Sequence, residues 1–155
     1  MHRFTRTLLF LGAVGLLTGC TAREPKPTLP PPQLHAMVDA LRDDAAQPES
    51  TPESTRESIL ARLDGILDDQ PCCYPARKLR AELRTAWDRE REGIEDVARL
   101  IELYGEAPEL RALQGVAYYR LGEAPEARRA LRAALDLDRN NAQALLHLGA
   151  LLLES

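Results

Sequence analysis

Gly115 and Gly149 each stand in the middle of an apolar stretch with helical spacing, and the interval between them limits what the chain can fold into. Around the first glycine the chain reads Leu113-Gln114-Gly115-Val116-Ala117-Tyr118-Tyr119-Arg120-Leu121-Gly122, followed by Ala127, Leu131 and Ala134. Around the second, Leu145, Leu148 and Leu152 take the corresponding large positions. Small residues at Gly115 and Ala127 let two helix backbones approach, while Tyr118 and Leu131 fill the volume beside that contact. A fixed interval in this range marks stacked supersecondary units in place of a single irregular core.

The rest of the chain reads as helix. Both phenylalanines, Phe4 and Phe10, lie near the start, so the remaining core is built from Leu, Ala, Ile and Val with Trp87 and four tyrosines. That mixture suits close-packed helices better than strands. Leu34, Met37, Val38, Leu41 and Ala45 predict a first amphipathic helix. The stretch from Gln47 to Thr55, with Pro48 and Pro52, breaks it. Ser54 with Glu57 three residues on predicts a capping box that opens a helix burying Ile59, Leu63, Ile66 and Leu67, and Pro71 ends it. A third helix is expected from about Pro75 to Glu90 with Ala76, Leu79, Leu83, Ala86 and Trp87 inside. After Gly93, a fourth carries Ile94, Val97, Ala98, Ile101 and Tyr104. No run reads as a strand bounded by turn residues. The fold class is all-α.

These residues resemble the tetratricopeptide repeat, a helix–turn–helix unit whose period the two glycines match. The resemblance implies a short right-handed array of helical hairpins. It divides the chain into divergent helices over 34–70, a degenerate repeat over 74–107, a repeat over 108–141 and a partial repeat over 142–155. Departures are visible: Arg111 stands where the family favours a bulky aromatic, and Arg139 replaces the usual turn proline. In 74–107, Ala81 takes the small position and Val97 the large one, but Gly93 replaces an alanine. By the same resemblance the concave face presents Glu109, Ala112, Val116, Tyr119 and Arg120, with Leu146, Ala150 and Leu153 pointing to that side from the last helix and Leu145, Leu148 and Leu152 packing inward. A terminal helix of an array should be polar outside. This one crowds leucines on more than one side, so it docks on a partner or a second copy, or is covered by the N-terminal helices folding back.

The start of the chain supplies an address. His2-Arg3-Phe4-Thr5-Arg6 is basic, Thr7 to Leu17 is apolar but too short to span a bilayer, and Leu17-Thr18-Gly19-Cys20 follows. The cysteine in place of an ordinary cleavage site resembles the lipobox of bacterial lipoproteins; the alternative is an ordinary secretory signal with a chance cysteine. The resemblance implies a signal peptide over 1–19, cleavage before Cys20, and lipidation there by acyl chains such as palmitate. Thr21 in place of Asp resembles the outer-membrane sorting pattern, hence a periplasm-facing protein. Residues 20–33, with Pro25, Pro27, Pro30, Pro31 and Pro32, read as an extended tether. Two acyl groups would anchor it stably.

Loss of Arg3 and Arg6 with the signal takes the formal charge from −4 to about −6, which argues against nucleic acid as a partner. Catalytic residues are not expected: no nucleophile, base or hydrolase motif appears, and His147 reads as a packing residue. No metal or other cofactor is expected, since His35 and His147 are isolated and no four-ligand spacing exists. Asp43-Asp44 and Asp68-Asp69 read as solvated helix ends. Cys72 and Cys73 between Pro71 and Pro75 leave three options: a strained ring between the adjacent pair, a bridge between two chains, or buried thiols. The charged run from Arg77 to Glu92 is expected to be a salt-bridged outer face. The combined expectation is a membrane-anchored adaptor that binds protein. Such small lipoproteins resemble pilus and secretion assembly factors. The alternative is a structural homodimer joined through the leucine-rich last helix or through Cys72 and Cys73.

Overall fold

A computed structural model describes residues 32–46 and 50–154. The signal peptide, Cys20 and the tether up to residue 31 lie outside the described residues. Seven α-helices and no strand occur among the described residues: α1 (Pro32–Asp44), α2 (Glu53–Asp69), α3 (Tyr74–Ala86), α4 (Glu90–Tyr104), α5 (Pro108–Arg120), α6 (Ala124–Leu137) and α7 (Ala142–Leu153). The fold is an all-α array of helical hairpins. The starts of α3, α5 and α7 repeat at the interval that separates Gly115 from Gly149, as do the starts of α4 and α6 and the ends of α3 and α5.

Local chemistry accounts for these boundaries. Pro75, Pro108 and Pro125 occupy the first turns of α3, α5 and α6, where a missing N–H costs nothing. Asn141 caps α7, its side chain accepting from the Ala144 N–H at 2.9 Å. Helices α3 and α5 stop by the same device. Asp88 and Gly122, one repeat interval apart, both have positive φ (60° and 74°). The following N–H groups reach back, Arg89 to the Arg84 carbonyl at 2.8 Å and Glu123 to the Tyr118 carbonyl at 2.9 Å. This is the left-handed C-terminal cap that satisfies orphan carbonyls. It also ends α3 at Ala86, short of the expected Glu90, and leaves Trp87 buried just beyond the helix.

The core is three successive clusters. The first joins α1, α2 and α3 from Leu34 to Trp87; the second joins α3, α4 and α5 through Ala81, Val97, Leu100, Leu110 and Leu113; the third joins α5, α6 and α7 through Ala112, Ala127, Leu131, Ala134, Ala144 and Leu151. Each layer touches mainly its neighbours, as a solenoid requires. Helix α2 shares the register of the later second helices: Leu63, Val97 and Leu131 follow one another at the repeat interval and all are fully buried. Helix α1 does not share it, and it packs on α2 and α3 only.

Several details differ from the sequence-based expectations. Met37 is half exposed, because α1 buries only the narrower stripe Leu34, Val38 and Leu41. No capping box forms at Ser54. Pro52 precedes α2, no side chain caps it, and Ser54 lies inside the first turn. Leu60 joins the buried face of α2. In α4 the inner face is Gly93, Asp96, Val97 and Leu100, while Ala98 is exposed. The N-terminal helices do not fold back over α7; α1 is committed to α2 and α3.

Candidate protein-interaction surface

Successive hairpins lean on one another through polar side chains. Arg120 at the end of α5 reaches Asp88 at 3.2 Å and Glu90 at 3.1 Å in the preceding hairpin. Tyr119 donates to a Glu154 carboxylate oxygen at 2.6 Å, just beyond α7, which pushes its phenol pKa up. The Tyr119 and His147 rings lie 5.3 Å apart. Burial, and then the Arg120 charge, pull the His147 pKa below its ordinary value. His147 is thus a half-buried packing residue in the neutral form at pH 7.

This arrangement revises the expected concave surface. Glu109 and Arg120 are exposed and Tyr119 is half-buried, but Ala112 and Val116 are buried and present nothing to a partner. Both sit on the side of α5 that meets its neighbours, where a methyl or a short branched chain is all that fits. Tyr119 and Arg120 already hold the array together.

The apolar surface lies on α7. Its inner stripe is Ala144, Leu148 and Leu151, packed on α5 and α6. Leu145 and Leu152, expected to pack inward, are more than half exposed; Leu146 is 70% exposed and Leu153 91%. The helix carries no charged residue. Burying a leucine is worth roughly 1.5–3 kcal/mol, so four left in water represent a large unused driving force for association.

The two cysteines at the α2–α3 corner differ. Cys73 is a buried free thiol, so the adjacent pair does not close a ring, and Cys73 is not placed to bridge two chains. Burial pushes its pKa up and keeps it protonated. The corner is fixed by Tyr104, whose hydroxyl donates to the Cys72 carbonyl and whose ring meets Tyr74 edge-on at 5.1 Å.

One cluster escapes the sequence reading. Asp96, 3% exposed, accepts from Arg77 at 3.1 Å, from Arg80 at 2.8 and 2.5 Å, and from Arg84 at 2.8 Å. Arg80 also reaches Asp64 of α2 at 2.5 Å. Four donors saturate one carboxylate, and the cluster ties α2, α3 and α4 together. Three of the six basic residues in the 77–92 run therefore turn inward. The available signal was their i, i+3, i+7 spacing, which places Arg77, Arg80 and Arg84 on one stripe of α3.

The repeating geometry agrees with the comparison of this chain with known families. Residues 115–155 match the family model of the TPR repeat. The C-terminal part of the chain therefore carries a TPR repeat, a module that generally mediates protein–protein interaction and is typically non-catalytic. No curated protein and no solved structure matches the chain. Among the described residues no helix is long and apolar enough to cross a membrane.

Proposed function

We propose that the protein is a lipid-anchored, periplasm-facing adaptor of the bacterial outer membrane that captures a protein partner during assembly of an envelope, pilus or secretion complex. The anchor rests on Leu17-Thr18-Gly19-Cys20 behind a basic start and a short apolar run. Binding rests on the TPR match and, above all, on the uncharged, leucine-covered surface of α7. The tether would hold that surface away from the lipid, so capture and anchoring act as separable parts.

The test is crosslinking and affinity capture from intact envelopes. Leu146→Glu with Leu153→Glu should remove captured partners at unchanged melting temperature, because both side chains lie in water. Cys20→Ser should release the protein from the membrane and abolish palmitate incorporation. Capture that ignores both leucines would refute the adaptor role of α7. A second reading, a homodimer paired through α7, draws on the same uncharged surface. It predicts a solution mass of two chains, lost in the double glutamate variant.

A further inference from the structure

The outer groove between α5 and α6 keeps cations where the preceding hairpin has its ionic cluster, and it lacks the acid. One repeat interval on, buried Asp96 becomes Ala130, Arg77 becomes Arg111, and Arg80 and Arg84 become Gln114 and Tyr118. These four residues line a hollow of about 280 Å³, so the counterparts of the groups that grip the Asp96 carboxylate surround open space.

The lost acid is accompanied by gained arginines. Where α4 has Ile94, Glu95 and Ala98, α6 has Arg128, Arg129 and Arg132. These three line an adjoining hollow of about 490 Å³, and Arg129 and Ala133 border both. Among the described residues neither Arg128 nor Arg132 pairs with a carboxylate, and the buried Nε of Arg128 has no acceptor. Arg129 reaches Glu126 at 3.8 Å. The Tyr118 hydroxyl and the Gln114 amide nitrogen also lack an acceptor among these residues. A chain of net charge −4 thus gathers along one face donors that no protein acceptor meets. Resident acids leave room for another. Glu126 matches Glu92, and Arg84 lies 3.3 Å from Glu92 while it holds Asp96 at 2.8 Å. Asp136 borders the second hollow against three arginines.

We propose that this face is a second binding site, for an acidic segment of a partner protein. One carboxylate side chain enters at Ala130, the place of Asp96 in the preceding hairpin, and neighbouring carboxylates meet Arg128 and Arg132. Guanidinium groups hold carboxylates through paired N–H···O bonds, which fix geometry as well as charge. An apolar segment would bury the same arginines without a partner, at a cost. The site lies off α7, and it rests on the adaptor reading only in that its ligand is a protein.

The probe is a fluorescein-labelled hexaglutamate peptide, read by anisotropy against the full chain in detergent, at about 0.15 M salt to screen long-range attraction. It should bind saturably. Ala130→Leu fills the hollow without altering charge and should weaken binding roughly fivefold or more. Arg128→Gln with Arg132→Gln should weaken it by about tenfold or more at unchanged melting temperature. Absence of binding overturns the proposal, and so does binding that the glutamine pair leaves intact. Binding that a folded Ala130→Leu variant retains would mean diffuse attraction without a seated carboxylate, and also overturns it. Phosphatidylglycerol vesicles that bind through the two arginines while the peptide does not would assign the face to a membrane surface. A two-chain solution mass lost in the glutamine variant would assign it to a second copy. Either result removes the acidic partner. If the peptide fails yet envelope capture still requires Leu146 and Leu153, the adaptor reading stands without this site. If the peptide binds a protein that captures nothing from envelopes, the site stands and the adaptor reading falls.

Discussion

The hairpins α3/α4 and α5/α6 share their helix starts and the stop of the first helix in one register, with opposite solutions for the interior. In α5/α6 the glycine is on the first helix: Gly115 receives Leu131. In α3/α4 the equivalent pair is Ala81 and Val97, one methyl larger on one side and one carbon smaller on the other, both fully buried. There the glycine has moved to the second helix. A Cβ on Gly93 would lie 2.7 Å from Thr85 Oγ1 and 3.1 Å from the Ala81 carbonyl oxygen. What looks in the sequence like decay of the 74–107 repeat is a volume exchange across one interface. A small residue still meets a larger one at each contact, and the identity of each residue is not kept.

The outer grooves differ more. In α3/α4 the groove is closed by Asp96 and its three arginines. In α5/α6 the counterparts of Asp96, Arg80 and Arg84 are Ala130, Gln114 and Tyr118. The groove is left as an open pocket of about 280 Å³, bordered by Arg111 and Arg129 as well. Arg111, counterpart of Arg77, has no buried carboxylate to meet and pairs with Glu106 and Gln114. The first hairpin carries an internal ionic clamp that also grips α2 through Asp64. Among the described residues no equivalent clamp joins α5 and α6.

The largest expected effect tests that clamp. Asp96→Ala should destabilise the protein by about 3–5 kcal/mol, because three arginines lose a buried partner; Ala130 shows that the fold does not need a carboxylate at the equivalent place. Urea denaturation reads the change as a lower midpoint, and a loss below about 1 kcal/mol would mean the clamp adds little. Next is Gly115→Ala, expected to cost about 1–3 kcal/mol through overpacking against Leu131. Adding Leu131→Val reproduces the Ala81/Val97 pair and should recover most of that loss. Simple additivity in the double-mutant cycle would break the volume-exchange account. The smallest effect concerns the matched caps. Asp88→Gly should stabilise by roughly 0.5–1 kcal/mol, since the left-handed conformation strains an L-residue less when the side chain is glycine's. Loss of the exposed Arg120–Asp88 pair offsets only part of this gain. A fall in thermal midpoint would show that the ion pair between hairpins outweighs backbone strain.

Helix existence, the period and the small-residue contact at Gly115 were legible because they follow from local spacing: the helical turn and the interval at which units recur. The leucine-covered α7 was legible for the same reason, though which leucines stay in water was not. Leu145 and Leu152 look like core in the sequence, and only the packing of Ala144, Leu148 and Leu151 against α5 and α6 leaves them outside. Ala112 and Val116 look available and are not, since burial depends on how near the next helix comes.

Sequence alone determined that the chain from residue 74 on is a stack of helical hairpins in one register, since backbone propensity, prolines at first turns and small residues at regular intervals are all local. Tertiary structure alone decided the rest: that Asp96 is buried among arginines, that Cys73 is sealed, that Gly93 and Gly115 do the same work on opposite helices, and that Gly149 faces nothing. Each depends on distances between residues far apart in the chain; even where a stripe such as Arg77, Arg80 and Arg84 is periodic, the sequence does not say which partner it meets.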